Sequence, residues 1–148
     1  MPDQPLELLL VEDNPHDIEL TLHVFKKHNI ANSIKVARDG AEALEFLNGA
    51  TAENLPQVIL LDLKLPKVNG LELLGQIKSD SRTRNIPVVV LTSSREDRDL
   101  LLCYELGINS YIVKPVDFKQ FTESIRQLGI YWLKLNERPQ TAHRVRQA

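Results

Sequence analysis

Five short apolar runs, each followed by a stretch with helical periodicity, leave this chain few architectures to choose from. The runs are Leu6 to Val11, Ile34 to Ala37, Val58 to Leu63, Val88 to Leu91 and Tyr111 to Val113. Each is too short for a helix and apolar on consecutive positions, as in strands buried on both faces. After the first run, Asn14 can cap a helix with Pro15 at its first position, and Ile18, Leu22 and Phe25 share one face. Further helices are predicted from Ala41 to Leu47 after Gly40, from Leu71 to Ile77, and after Thr92-Ser93-Ser94. In the last of these Ser94 and Asp97 are candidate caps and Gly107 a candidate end. Helical periodicity then runs from Asp117 to about Asn136. Strands alternating with helices predict an α/β fold with a parallel sheet, right-handed crossovers placing helices on both faces.

The 148 residues, 43% of them apolar, suit one domain with a sizeable core. A formal net charge of -2 removes the basic excess that drives nucleic-acid binding. Cys103 is the only cysteine, which excludes an internal disulfide and a thiolate-rich zinc site and suits a reducing compartment. No stretch approaches the roughly eighteen apolar residues of a membrane span, and the start MPDQP is unlike a signal peptide, so a cytoplasmic protein is expected. The polar tail with Arg138, Arg144 and Arg146 reads as solvated, and His16, His23, His28 and His143 have no metal-ligand spacing.

In an open parallel sheet, function collects beyond the carboxyl ends of the strands. Glu12 and Asp13 follow the first run, Asp62 falls at the end of the third, Thr92 follows the fourth and Lys114-Pro115 the fifth. Two unit charges about 4 Å apart at an effective dielectric near 20 interact by roughly 4 kcal/mol, so three crowded carboxylates call for a cation. Magnesium prefers one or two carboxylates with water and phosphate oxygens. Lys114 adds a second positive charge, and a carboxylate can itself accept a phosphoryl group. Singly, each residue has a plainer reading as a helix cap, strand end or surface lysine; their conjunction at one edge favours a phosphoryl site.

LLLVEDN, VILLDLKLPKVNG, VVVLTSS and YIVKP, in this order, resemble the signature of response-regulator receiver domains. The resemblance covers about Leu6 to Leu128 and implies a flavodoxin-like, doubly wound five-stranded sheet of order 2-1-3-4-5. It implies Asp62 as phosphoacceptor, magnesium held by Glu12, Asp13, Asp62 and the main-chain carbonyl of Lys64, and a phosphate contact from Lys114. Thr92 and Tyr111 match the switch pair, and the bond from Lys114 to Pro115 is expected to be cis. A receiver domain over residues 5–128 is expected, with 129–148 as helix extension and tail. DGAEALEFL, LTSSREDRDL, LGINSYIVKPVDF and LGIYWLKLNERP further resemble the small response regulators that serve cyanobacterial phytochromes, implying a phytochrome-type histidine kinase as phosphodonor. Lys64 stands where amides, acids or methionine also occur in receivers, which bears on the hydrolysis rate.

Phe118, Phe121, Ile125, Leu128, Trp132 and Leu135 recur at steps of three and four, the seam of a helix packed along its length. With Leu100, Leu101, Leu102 and Tyr104 on the preceding helix, it predicts a homodimer whose interface includes Leu100, Leu101, Tyr104, Trp132, Leu133 and Leu135. Cys103 reads as a small apolar residue on that helix. Two other functions fit the same residues: a magnesium-dependent phosphatase-like enzyme, or an interaction module with an inactive site. Short connections leave the enzyme no cap over a substrate, and the complete set of five groups disfavours decay.

Overall fold

The computed structural model describes residues 6–137. Its strands are β1 (Leu8–Val11), β2 (Ile34–Ala37), β3 (Val58–Leu61), β4 (Val88–Thr92) and β5 (Ser110–Val113). Its helices are α1 (Pro15–Lys27), α2 (Gly40–Gly49), α3 (Gly70–Ser79), α4 (Asp97–Glu105) and α5 (Phe118–Ile130), with a π-helical segment, Tyr131–Leu135, continuing α5. The five strands form one parallel sheet in the order β2-β1-β3-β4-β5, the flavodoxin-like arrangement that the motifs imply. The tail residues Arg138, His143, Arg144 and Arg146 lie outside the described residues.

Side chains alternate across a strand, so consecutive apolar residues of the inner strands feed two cores. Leu9, Val11, Ile59, Leu61, Val88 and Val90 pack with Leu47, Leu73, Ile77 and Cys103 from α2, α3 and α4. Leu8, Leu10, Leu60, Val89 and Leu91 pack with Ile18, Phe25, Phe121 and Ile125 from α1 and α5. Burying each such aliphatic side chain contributes about 1.5–3 kcal/mol. The edge strands β2 and β5 are half-buried apart from Ala37, which is fully buried.

Helix ends follow local chemistry. Asn14 caps α1, its side-chain oxygen accepting from the main-chain N–H of His16 and Asp17. After α1, Asn29 takes φ 54° while Ile30 N–H reaches back to the Phe25 carbonyl. Gly107, at φ 98°, ends α4 in the same way, with Ile108 N–H donating to the Cys103 carbonyl. Helix α4 differs from the reading of its start: it opens at Asp97 after Glu96, without a side-chain cap, and the Ser94 hydroxyl donates instead to Asp99.

The last helix changes register. At the π segment the Asn136 N–H bonds to the carbonyl of Tyr131, five residues back, so each turn accommodates an extra residue. The residue stacked on Leu128 is therefore Leu133, buried at 8% exposure against the core of its own subunit. This corrects Leu133 as an interface residue. Trp132 is half-buried against the same core, and Leu135 stays exposed.

Candidate phosphoryl site at the carboxyl edge of the sheet

Strand register assembles the site. Val11 of β1 stands opposite Leu61 of β3, so the next residues, Glu12 and Asp62, emerge side by side. Asp62 N–H donates to the Val11 carbonyl, and Lys114 N–H to the Thr92 carbonyl at 2.7 Å, which brings the end of β5 to the same edge. One carboxylate oxygen from each of Glu12, Asp13 and Asp62 lies within 4.8 Å of the others. Glu12 and Asp62 are buried and Asp13 is exposed, so the cluster opens to solvent on one side. A divalent cation with oxygen ligands at about 2.0–2.6 Å can bridge such a spread.

The Lys114 ammonium has three N–H donors and spends all of them on carboxylates: Glu12 Oε1 at 2.7 Å, Asp17 Oδ2 at 2.8 Å and Asp62 Oδ2 at 3.0 Å. Burial works against its charge, but the hydrogen bonds it donates to Asp17 and Glu12 and the charges of Glu12 and Asp62 hold its pKa above the ordinary lysine value. One lysine does not neutralise the cluster. Burial, followed by the charge of Asp62, pushes the Glu12 carboxyl up to about 7 despite Lys114.

This has a measurable consequence for the metal-free protein. The folded chain keeps a proton on Glu12 that the unfolded chain, with a carboxyl near 4.5, has already released. Glu12's contribution is fully present below about pH 4.5 and is lost as pH rises through about 7. Unfolding free energy is expected to decline across that window by on the order of 1–3 kcal/mol. Glu12→Gln should flatten the decline in urea titrations; a variant that keeps the full wild-type slope would place its origin elsewhere.

Thr92 is fully buried, its hydroxyl oxygen accepting from Ser94 N–H at 3.3 Å. Half-buried Tyr111 packs on the α2–α4 core and donates its hydroxyl to the Ser94 carbonyl at 3.1 Å. Thr92 and Tyr111 are thus joined through the backbone of Ser94. Lys64 is exposed, and its N–H donates to Asp62 Oδ1 at 3.2 Å. The expected cis bond to Pro115 is not found: no peptide bond among the described residues is cis. Trans is the lower-energy isomer of such a bond by about 0.5–1 kcal/mol, and the chain turns into the Asp117 cap of α5 without giving it up.

Two residues that sequence reading did not assign to the site join it. Asp17 sits in the first turn of α1, where a carboxylate also suits the helix N-terminus, and nothing local in the sequence signals its bond to Lys114. Ser94, read as a cap, is the link between Thr92 and Tyr111. Among the expected interface residues, Leu101 and Tyr104 are 60% and 52% exposed and Leu100 is also exposed. Concavities of about 450 and 630 Å³ lie between α2 and α3 and beside β2, and no carboxylate of the cluster lines either.

Known proteins resemble this chain in sequence and fold. The probable methanogenesis regulatory protein FilR2 of Methanothrix harundinacea is 41% identical over 139 residues, spanning 93% of this chain and 90% of that protein. Response regulator Rcp1 of Synechocystis is 38% identical over 133 residues, spanning 88% and 90%. The crystal structure of its Mn(2+)-bound form superposes with a TM-score of 0.85, covering 92% of this chain and all of Rcp1. The phosphorylated cyanobacterial phytochrome response regulator RcpA is 34% identical at a TM-score of 0.85 over 93% of this chain and 100% of its own. The bacteriophytochrome response regulator AtBRR is 52% identical at a TM-score of 0.67, covering 91% and 100%. The family model for the response regulator receiver domain matches residues 8–126, on the sheet and carboxylate edge just described, and the chain belongs to that family of phosphoacceptor signalling modules.

Proposed function

We propose that the chain accepts a phosphoryl group on Asp62 from a histidine kinase, catalysing its own labelling, and passes the event to the face formed by α4, β5 and α5. The observation that carries this reading is the Lys114 ammonium on Asp62 inside a three-carboxylate cluster that it cannot neutralise alone. An Asp62 oxygen attacks phosphorus, the bond from phosphorus to the donor's imidazole nitrogen breaks, and that nitrogen leaves with the electron pair and is protonated. Glu12, Asp13, Asp62 and the Lys64 carbonyl would hold magnesium, which when bound supplies charge stabilisation to the phosphoryl oxygens. Lys114 meets a second side of the group. Thr92, drawn toward a phosphoryl oxygen, pulls on Ser94 and so on the Tyr111 hydroxyl.

The signalling unit in this reading is residues 5–128, extended by 129–148, working in the cytoplasm. No helix of the described residues is long and apolar enough to cross a membrane. The likeness to RcpA and AtBRR supports a phytochrome-type kinase as donor over the methanogenesis setting of FilR2. Incubation with a radiolabelled small acyl phosphate, with and without magnesium, tests the reading. Near-stoichiometric, magnesium-dependent labelling is expected; sustained turnover without label, or no label, overturns it.

The proposed output surface is a homodimer interface. Every large apolar side chain exposed among the described residues lies between Leu100 and Leu135, on α4, the turn into α5, α5 and its extension. A twofold pair buries the same patch on both subunits. Leu135 belongs to that patch and Trp132 is half-buried beside the core, whereas Leu133 is spent inside the subunit. Leu101→Glu with Tyr104→Glu is expected to weaken association by about 2 kcal/mol or more, read by sedimentation over a concentration series. A wild type that stays monomeric, or a dimer indifferent to both charges, would refute this interface. DNA binding is not part of the proposal, since the net charge is -2.

A further inference from the structure

We propose that Asp17 is a positioning residue that keeps the Lys114 ammonium over Asp62 when the other two carboxylates on that ammonium are claimed by metal and phosphoryl group. The inference rests on Asp62 being the phosphoacceptor. Of the three carboxylates on Lys114, Glu12 and Asp62 belong to the cluster able to hold a cation, and in the proposed reaction Asp62 also becomes an acyl phosphate. Asp17 is in neither role. It is the one anchor whose bond to Lys114 can persist through every state of the site.

Its mounting suits that task. The Asp17 N–H donates to the capping Asn14 side chain at 3.2 Å and its carbonyl accepts from the Thr21 hydroxyl at 2.7 Å, so its backbone is fixed in the first turn of α1. Its side chain is 19% exposed against 6% for Glu12 and 8% for Asp62, and it is not one of the three carboxylates that cluster closely enough to share a cation. The bond spans 97 residues of sequence and joins α1 to the end of β5. Without it, Lys114 has no counter-charge left that is not shared with the reaction, and its flexible stem can follow solvent.

The test compares wild type, Asp17→Asn, Asp17→Ala, Lys114→Ala and the Asp17→Asn, Lys114→Ala double variant of the whole chain. Labelling by a radiolabelled small acyl phosphate is followed across a magnesium titration. Asp17→Asn keeps the shape and an acceptor but removes the charge, and charge-assisted hydrogen bonds are roughly twice as strong as neutral ones. At saturating magnesium its rate should fall about tenfold, and that of Asp17→Ala at least as far, while half-saturating magnesium moves less than about threefold. In the Lys114→Ala background the same Asp17→Asn change should alter the rate less than about twofold. In the metal-free protein, urea unfolding should show the two sites coupled, since a residue serving only the helix N-terminus would act independently of Lys114. A full plateau rate in both Asp17 variants, or an equal loss in both backgrounds, overturns the anchor. Labelling of Asp62→Asn would overturn the phosphoacceptor reading instead, so the two failures are distinguishable.

Discussion

Asp62→Asn is expected to reduce labelling by a small acyl phosphate from near-stoichiometric to background while leaving the protein folded. The amide fills the same space at a position only 7% exposed, yet its oxygen is too weak a nucleophile to displace the donor's carboxylate from phosphorus. The fold survives because Lys114 keeps Glu12 and Asp17 as partners. Glu12 also loses the neighbouring charge that, after burial, contributes most to raising its pKa. The stability decline between about pH 4.5 and 7 should therefore be shallower in the variant than in wild type. Radiolabel counting beside urea titrations at two pH values separates the two effects. Retained label in a folded Asp62→Asn protein would move the acceptor to another side chain, and lost label with a lost fold would leave the nucleophile unassigned.

What the sequence revealed about this site, and what it hid, divides along a physical line. Glu12, Asp13, Asp62, Thr92 and Lys114 were legible because each stands where an apolar strand stops, and parallel strands in register bring their ends to one edge. The sheet order came from motif resemblance, since hydrophobic runs alone do not say which strand pairs with which. Asp17 was hidden because a carboxylate in a first helical turn is explained locally, while its bond to Lys114 is tertiary. Ser94 was hidden because its contribution is main-chain: its N–H serves Thr92 and its carbonyl serves Tyr111. Beyond Leu128 the seam keeps Trp132 on the core but adds Leu133, because a period of 3.6 residues fails at a π turn, and a hydrogen bond five residues back leaves no mark on side-chain pattern. The trans bond at Pro115 shows the limit of resemblance: a shared motif carries residue identities, not the isomer of one peptide bond.

One substitution made twice in α3 should give opposite signs. A Cβ at Gly70 would stand 2.4 Å from the Leu63 Cα and 2.7 Å from the Asp62 carbonyl oxygen. Both are main-chain atoms at the end of β3, tied down further by the hydrogen bond from Gly70 N–H to the Leu63 carbonyl at 2.9 Å. No rotamer change can relieve that overlap, so either the start of α3 or the backbone carrying Asp62 must move. Overpacking costs typically 1–3 kcal/mol, and against fixed backbone the upper end, about 3 kcal/mol, is expected for Gly70→Ala. Gly75 lies five residues along the same helix with nothing within 4 Å of its would-be Cβ. There the only change is the helix propensity of alanine over glycine, so Gly75→Ala should stabilise by about 0.5–1 kcal/mol. Urea midpoints of the two variants should bracket that of wild type. Labelling separates them again: Gly75→Ala should label at the wild-type rate, whereas Gly70→Ala, even where folded, should label more slowly because Asp62 is displaced relative to Glu12 and Lys114. A Gly70→Ala protein with wild-type midpoint and wild-type rate would mean that α3 can move away from β3 at no cost. The carboxylate edge would then not depend on that close approach.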